Sequence, residues 1–441
     1  MLNNVSKILI ISETFKSNSG GGITLTNLFK DYPKEYLANA VEAKDINNIS
    51  TDSVCSKFYS LGFEEKKALK LFSFLQRKYP SGEYVFKKPL KISENVNKKR
   101  KSFRAQVIDY FFSILHFVGI YHLLYRYEIS EKFSNWIVEF KPDFIYSQLS
   151  NRESILFTEK LIKLTGASLA IHIMDDWPST ISKTGILKKY WRKRIDNELR
   201  SLIDKAGVLM SISDGMSVEY QRRYKKDFQP FHNPIDIKRW IPFSKTDIAT
   251  NNNDLIVMYA GRIGLGTSDS ILEIAKVIEN LNDSGYRISY HIQTTTFNSE
   301  VIQKLRKFQC VKINKQVEYS ELPAIFSKAD LLVMPIDFSK KGIRFLKYSM
   351  PTKASEYMIS GTPVLLYADE SVSLVSHAQK HGWARIVTKQ DKTLLKNEII
   401  NVLTDHELRL KLSTTAKKYA IDNFDSAIVR EKFRKQFYKE L

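Results

Sequence analysis

The chain has 441 residues, 43% of them apolar and 12% aromatic, and its 68 Lys and Arg against 48 Asp and Glu leave a net charge of +20. That composition excludes a disordered or fibrous chain, and at roughly 100–200 residues per domain the length fits two or three domains with separate cores. The positive excess calls for an anionic partner, which nucleic acid, an acidic membrane surface and a phosphorylated small molecule all satisfy. Cys55 and Cys310 are the only cysteines, too few for a disulfide framework or a cysteine zinc site, and they fit a reducing cytosol.

In chain order, the apolar run Ile8-Leu9-Ile10-Ile11 reads as a buried strand. It starts too early and ends too soon for a signal peptide, so secretion is not expected. A polar loop closing on Ser19-Gly20-Gly21-Gly22 follows, then a helix from Ile23 to about Tyr32. The same grammar returns at Asp143-Phe144-Ile145-Tyr146, at a helix over about 152–164, and at Leu169–Ile173. A third strand, Gly207–Ser211, runs into a helix that Ser213 or Asp214 caps. Asn251-Asn252-Asn253 reads as a linker, and further strands are expected near 255–260, 287–293, 331–335, 364–367 and 385–387, separated by helical stretches. Short apolar strands alternating with helices predict an α/β fold of two Rossmann-like, doubly wound parallel-sheet domains facing a central cleft. The expected division is 1–245, 246–422, and a C-terminal helix over 423–441 crossing back to the first domain.

The segment Gln106 to Tyr125 breaks the pattern by being almost wholly apolar and aromatic. It has the length of a membrane span, yet Asp109, Ser113, His116, His122 and Arg126 form a narrow polar stripe. A helix lying in a bilayer interface, assisted by Lys98-Lys99-Arg100-Lys101, explains both features; a helix buried between layers of the first domain is the alternative.

Two motifs carry chemistry. Gly261-Arg262-Ile263-Gly264-Leu265-Gly266-Thr267-Ser268 spaces its glycines like a phosphate-binding loop but has Thr267 where the lysine should stand, which argues against an ATPase. What remains is a glycine-rich turn between strand and helix with an arginine at its mouth, suited to an anion. In Ser349–Val364, Pro351 starts a short helix and Gly361 ends it, and Lys353 and Glu356 share a face. An ammonium for a diphosphate beside a carboxylate for two ribose hydroxyls fits a nucleotide diphosphate; an ordinary surface ion pair is the alternative.

The order of these features resembles the GT-B glycosyltransferases, and among them family 4, the retaining enzymes that take sugars from nucleotide diphosphates. The resemblance rests on Gly20-Gly21-Gly22, Ser211-Ile212-Ser213-Asp214, His232-Asn233-Pro234-Ile235-Asp236, Tyr259-Ala260-Gly261-Arg262-Ile263, and Pro351-x-Lys353-x-x-Glu356-Tyr357-Met358-x-x-Gly361-x-Pro363-Val364. It implies that Arg262 contacts the donor diphosphate, Glu356 the ribose, and the Gly21-Gly22 loop the transferred sugar and phosphates. Two positions depart from the family pattern. Thr267 stands where a lysine is usual, leaving Lys353, Arg344 or Lys347 to supply charge, and Tyr348 stands where a first glutamate precedes the ribose-binding one.

No two aspartates are spaced Asp-x-Asp, so a metal-independent mechanism is expected, with Arg262 and Lys353 stabilising the departing nucleotide diphosphate and no cofactor. In His172-Ile173-Met174-Asp175-Asp176, His172 resembles the family histidine near the donor sugar, and Asp175 or Asp176 is placed to orient or deprotonate an acceptor hydroxyl. A helix-capping aspartate and a satisfied buried histidine are the alternatives. His377 and His381, four apart, lack the glutamate of a zinc protease and receive no role.

The expected function is transfer of a sugar from a nucleotide diphosphate, uridine favoured over guanosine, to a glycan or lipid-linked glycan. The expected setting is cell-surface polysaccharide or glycoconjugate synthesis, at the inner face of the cell membrane. A sugar-nucleotide epimerase of the same fold and a non-catalytic scaffold with an anionic partner stay open as alternatives. Nucleic acid is not expected, because the basic residues are spread and no aromatic-basic signature appears.

Overall fold

A computed structural model describes residues 5–16, 19–49, 54–76, 78–85, 103–181, 184–250, 254–297, 299–315 and 317–438. The linker reading at 251–253 and the basic run Lys98–Lys101 lie outside the described residues.

The chain divides into two compact units. One comprises 1–211, 220–229 and 433–441, and the other 212–219 and 230–432. The strands of the first are β1 (Ile8–Ile11), β2 (Leu37–Glu42), β3 (Lys57–Leu61), β4 (Lys66–Ala68), β5 (Gly82–Tyr84), β6 (Tyr125–Tyr127), β7 (Phe144–Ser147), β8 (Ser168–Ile173), β9 (Ala206–Ser211) and β10 (Gln229–Pro230). Eight of them form one sheet in the order β10-β9-β8-β7-β1-β2-β3-β5, while β4 and β6 pair separately. Every residue of β1 is fully buried, and β1 runs parallel to β2 and β7 on its two sides. A central strand covered on both faces must be apolar throughout, which is why Ile8–Ile11 reads as one unbroken run.

The second unit holds β11 (Leu255–Ala260), β12 (Ile288–Thr294), β13 (Val311–Lys315), β14 (Leu331–Pro335), β15 (Val364–Tyr367) and β16 (Arg385–Val387), ordered β13-β12-β11-β14-β15-β16. All its pairings are parallel. Its core joins β11, β12 and β14 to the helices Ser268–Asp283 and Lys392–Thr404. Both units are therefore doubly wound, the second wholly parallel and the first with β5 antiparallel at its edge.

Three expectations change in detail. Gly20–Gly22 are not a loop but the first turn of the helix Gly20–Phe29, and the Ser19 hydroxyl caps it by accepting the Gly22 N–H at 3.1 Å. The glycines are there for room: a Cβ on Gly22 would stand 2.6 Å from the Lys16 carbonyl oxygen. The passage between units lies at 229/230 rather than near 245, because residues 231–245 are tied into the second unit. Lys245 donates its N–H to Ser360 O and its Nζ to Ala329 O, both at 2.7 Å, and Ile235 bridges Asp425. The apolar segment is helical only over Phe103–Val118 and stops at Gly119, whose φ is +90°. Among the described residues no helix is long and apolar enough to cross a membrane.

At the C-terminus, residues 433–438 pack within the first unit. The Phe433 ring meets Phe29 edge-on at 4.9 Å, and Ser6 Oγ donates to the Phe437 carbonyl.

Candidate active site

In parallel sheets, ligands gather at the carboxyl ends of strands, because helix N-termini and short loops converge there. In the second unit this edge is built around β11. Gly261 follows it at a φ of +146°, and a Cβ there would stand 2.6 Å from Lys353 Nζ and 3.0 Å from the Tyr259 hydroxyl. Only glycine leaves that space. Arg262 projects into solvent, its carbonyl held by the Tyr259 hydroxyl at 2.9 Å. The Lys353 ammonium sits 4.0 Å above the Tyr259 ring, a cation–π contact that aims it at the Gly261 turn.

Lys353 opens the helix Lys353–Ile359, and Glu356 lies one turn on, 6% exposed. Burial pushes the Glu356 carboxyl up to about 7, opposed by a hydrogen bond with the Tyr319 side chain and by the nearby Lys353 charge. The helix is pinned on its other sides: Tyr357 Oη accepts the Ala260 N–H at 2.8 Å, and Ser355 Oγ donates to the Asn233 carbonyl at 3.2 Å. Gly361 closes the turn at a φ of +76°. Lys353 and Glu356 thus lie beside the Gly261 turn, and Arg262 follows that turn in the chain. Thr267 is the N-cap residue of the helix Ser268–Asp283, and Tyr348 lies beneath the Lys347 ammonium, 5.4 Å from its ring centre. Tyr319 is a site residue the sequence reading missed; no motif surrounds it, and only its hydrogen bond to Glu356 reveals it.

In the first unit the corresponding edge carries Glu13, Gln148 and His172, at or just past the ends of β1, β7 and β8. A Cβ on Gly21 would come within 2.8 Å of Glu13 Oε2 and 3.1 Å of Gln148 Oε1. Gln148 Nε2 donates to the Tyr146 hydroxyl at 3.3 Å, which is 2.7 Å from His172 Nδ1. His172 is wholly buried, with Nδ1 on the Tyr146 hydroxyl. Glu13, Gln148 and Tyr146 were also missed by the sequence reading, because each is ordinary until the sheet brings it beside Gly21.

Asp176 corrects an expectation. It is 3% exposed and takes two hydrogen bonds from Arg223, at 2.7 and 2.8 Å, and one from the Tyr220 hydroxyl at 3.1 Å. A carboxylate clamped by a guanidinium is no proton acceptor for a substrate, and its side chain does not cap the helix Trp177–Thr180 either. Asp175 is the exposed member of the pair. His377 is held by the Trp383 indole at 2.9 Å and the Tyr419 hydroxyl at 3.0 Å. Among the described residues no group of three or more His, Cys, Asp or Glu is placed to hold a metal ion.

Beside Glu13, the first unit also contains a cavity of about 220 Å³ lined by Thr14, Lys16, Glu42, Lys44, Asp45 and Asn151, among others. Glu42 in its wall accepts from the Tyr127 hydroxyl at 2.6 Å and pairs with Lys44 and Lys66, and these partners hold its carboxyl down at about 2 against the opposing effect of burial.

No curated protein matches the chain by sequence. Residues 293–419 match the family model described as glycosyl transferases group 1. Among solved structures, sucrose-phosphate synthase from Thermosynechococcus elongatus superposes with a TM-score of 0.61 at 13% identity over 98% of both chains. Anabaena Alr3699/HepE in complex with UDP-glucose gives 0.58 at 13% identity over 98% of both. WaaG, a glycosyltransferase involved in lipopolysaccharide biosynthesis, gives 0.55 at 12% identity over 97% of this chain and 98% of the other. With its two doubly wound sheets the chain has the GT-B fold of these structures, and its region from β13 to β16 is similar to the group 1 glycosyl transferases.

Proposed function

We propose that this chain is a glycosyltransferase that moves a sugar from a uridine diphosphate donor to a glycan or lipid-linked glycan, with retention and without a metal ion. The observation that carries the reading is the grouping of Arg262, Lys353 and buried Glu356 at the carboxyl end of β11. Two cations next to one carboxylate suit a diphosphate next to a ribose diol. The HepE structure with UDP-glucose favours uridine as the base.

In the reaction the bond from the anomeric carbon to the diphosphate oxygen breaks and the acceptor oxygen bonds to that carbon. Charge builds on the leaving diphosphate, and Arg262 and Lys353 stabilise it electrostatically. The acceptor hydroxyl proton passes to a base, for which exposed Asp175 is our candidate. In the first unit, the cavity beside Glu13 is large enough for one sugar ring of the acceptor. The lipid-linked acceptor and the setting at a membrane follow the basic charge of the chain and its likeness to WaaG.

The test is thermal stability against UDP-, GDP-, ADP- and CMP-linked sugars, because a ligand of the native state raises the melting temperature. A shift with uridine donors that is lost in Arg262→Ala and Glu356→Ala supports the reading; no shift with any of the four overturns it. The anomeric configuration of the product, read by NMR, decides retention.

A further inference from the structure

One face of the first unit differs from the rest of its surface. On the helix Phe103–Val118, Tyr110, Ile114 and Phe117 fall at i, i+4 and i+7 and so share a side, and they are 71%, 43% and 56% exposed. The Ile186 N–H donates to the Phe117 carbonyl at 2.8 Å, which brings Ile186, 70% exposed, against that stripe. Leu187 and Tyr190 follow, also exposed. Single exposed apolar side chains need no explanation, but six joined through one backbone contact form a patch.

The base beneath the patch is rigid. Trp191 is buried under the Arg152 guanidinium, 5.2 Å from its ring centre, and Arg152 grips Glu198 through two hydrogen bonds of 2.7 Å. Gly119 and Gly185, both at positive φ, allow the close approach, since a Cβ on either would collide with Trp191 or with the Phe117 carbonyl. Around the apolar tips stand Lys188, Lys189, Arg192 and Lys193, all exposed, and among the described residues none of the four makes an ion pair.

We propose that this surface docks the first unit on an anionic bilayer. Tyr110, Ile114, Phe117, Ile186, Leu187 and Tyr190 enter the headgroup region, and the four cations at the start of the helix Lys188–Asp204 meet lipid phosphates. Charge selects the occupant: a second copy meeting this face through its own would bring four cations against four. The proposal rests on the reading of a lipid-carried acceptor, for which a bilayer-facing side is required.

The experiment is cosedimentation of the full chain with vesicles of phosphatidylcholine alone and of phosphatidylcholine with phosphatidylglycerol, at low and high salt. Binding is expected to the mixed vesicles, to weaken with salt, and to be slight on phosphatidylcholine alone. The quadruple change Lys188→Gln, Lys189→Gln, Arg192→Gln and Lys193→Gln is expected to lower partition by about 100-fold, and Ile186→Ser with Tyr190→Ser by about 10-fold. Melting temperature and its rise with UDP are measured on the same samples. Both variants partitioning like the parent protein would overturn the surface, as would a parent dimer that the variants split without any change on vesicles. Normal partition without a UDP shift supports the surface and removes the donor reading instead.

Discussion

Asp176 and Glu356 are two carboxylates at nearly equal depth, 3% and 6% exposed, in different units. Asp176 is neutralised by the guanidinium of Arg223 and has no remaining chemistry. Glu356 has a tyrosine hydroxyl and a lysine turned toward an aromatic ring instead, and burial raises its carboxyl to about 7. Depth alone therefore says nothing about function. A buried carboxylate with its own cation supports structure, whereas one whose cations point past it toward a turn is poised for a ligand.

The largest effect expected from breaking this contrast is at the cations. Arg262→Ala and Lys353→Ala should each lower kcat/KM for a uridine donor by about 100-fold or more, with the melting temperature of the unliganded protein almost unchanged, as steady-state kinetics and calorimetry would show. Equal losses in stability and turnover would place these residues with Asp176. The second effect is structural: Asp176→Asn leaves the half-buried Arg223 beside a neutral amide and should cost about 3 kcal/mol of unfolding free energy. Denaturant titration checks this, and full stability with lost turnover would restore Asp176 to the reaction.

Third comes pH. A carboxyl whose folded value exceeds its unfolded value contributes stability below the unfolded value, lost as pH rises through the folded one. For Glu356 that window lies between about 4.5 and 7, so Glu356→Gln should be more stable than the parent at pH 8 by up to about 3 kcal/mol while losing donor binding. Because the ribose needs the ionised form, donor affinity in the parent should rise through pH 7 and level off above it. Calorimetry across this range that shows no gain for Glu356→Gln would remove the burial argument. The smallest effect is Tyr319→Phe. Loss of the hydroxyl from Glu356 should move the midpoint of the affinity profile upward in pH and weaken donor binding at pH 7 by about 5-fold, measured by titration calorimetry.

The two units also differ in how openly they were written. In the second, β11, β14 and β15 are apolar runs, and the turn at Gly261 and the helix at Lys353 carry fixed residue types, so Arg262, Lys353 and Glu356 could be named from sequence. Only β13 went unnoticed, since Val311-Lys312-Ile313-Asn314-Lys315 alternates as a sheet-edge strand does. In the first unit β2 to β6 and β10 were missed. Leu37-Ala38-Asn39-Ala40 has the buried Asn39 in its middle, where Asn39 Nδ2 donates to the carbonyls of Ile10 and Glu13. A polar residue with a tertiary partner is indistinguishable, in a linear reading, from one in a loop.

The sequence by itself determined that the fold is doubly wound, because strands covered on both faces must be apolar and glycines must stand where backbones turn. It also paired Lys353 with Glu356, because a cation and a carboxylate at helical spacing share a face wherever that helix lies. Tertiary structure alone decided which acid is exposed and which is buried. The places of Asp176 and His172 depend on Arg223, Tyr220 and Tyr146, which lie 26 to 47 residues away along the chain. Their charges and hydroxyls act over a few ångströms, and only the packed sheet brings those distances about.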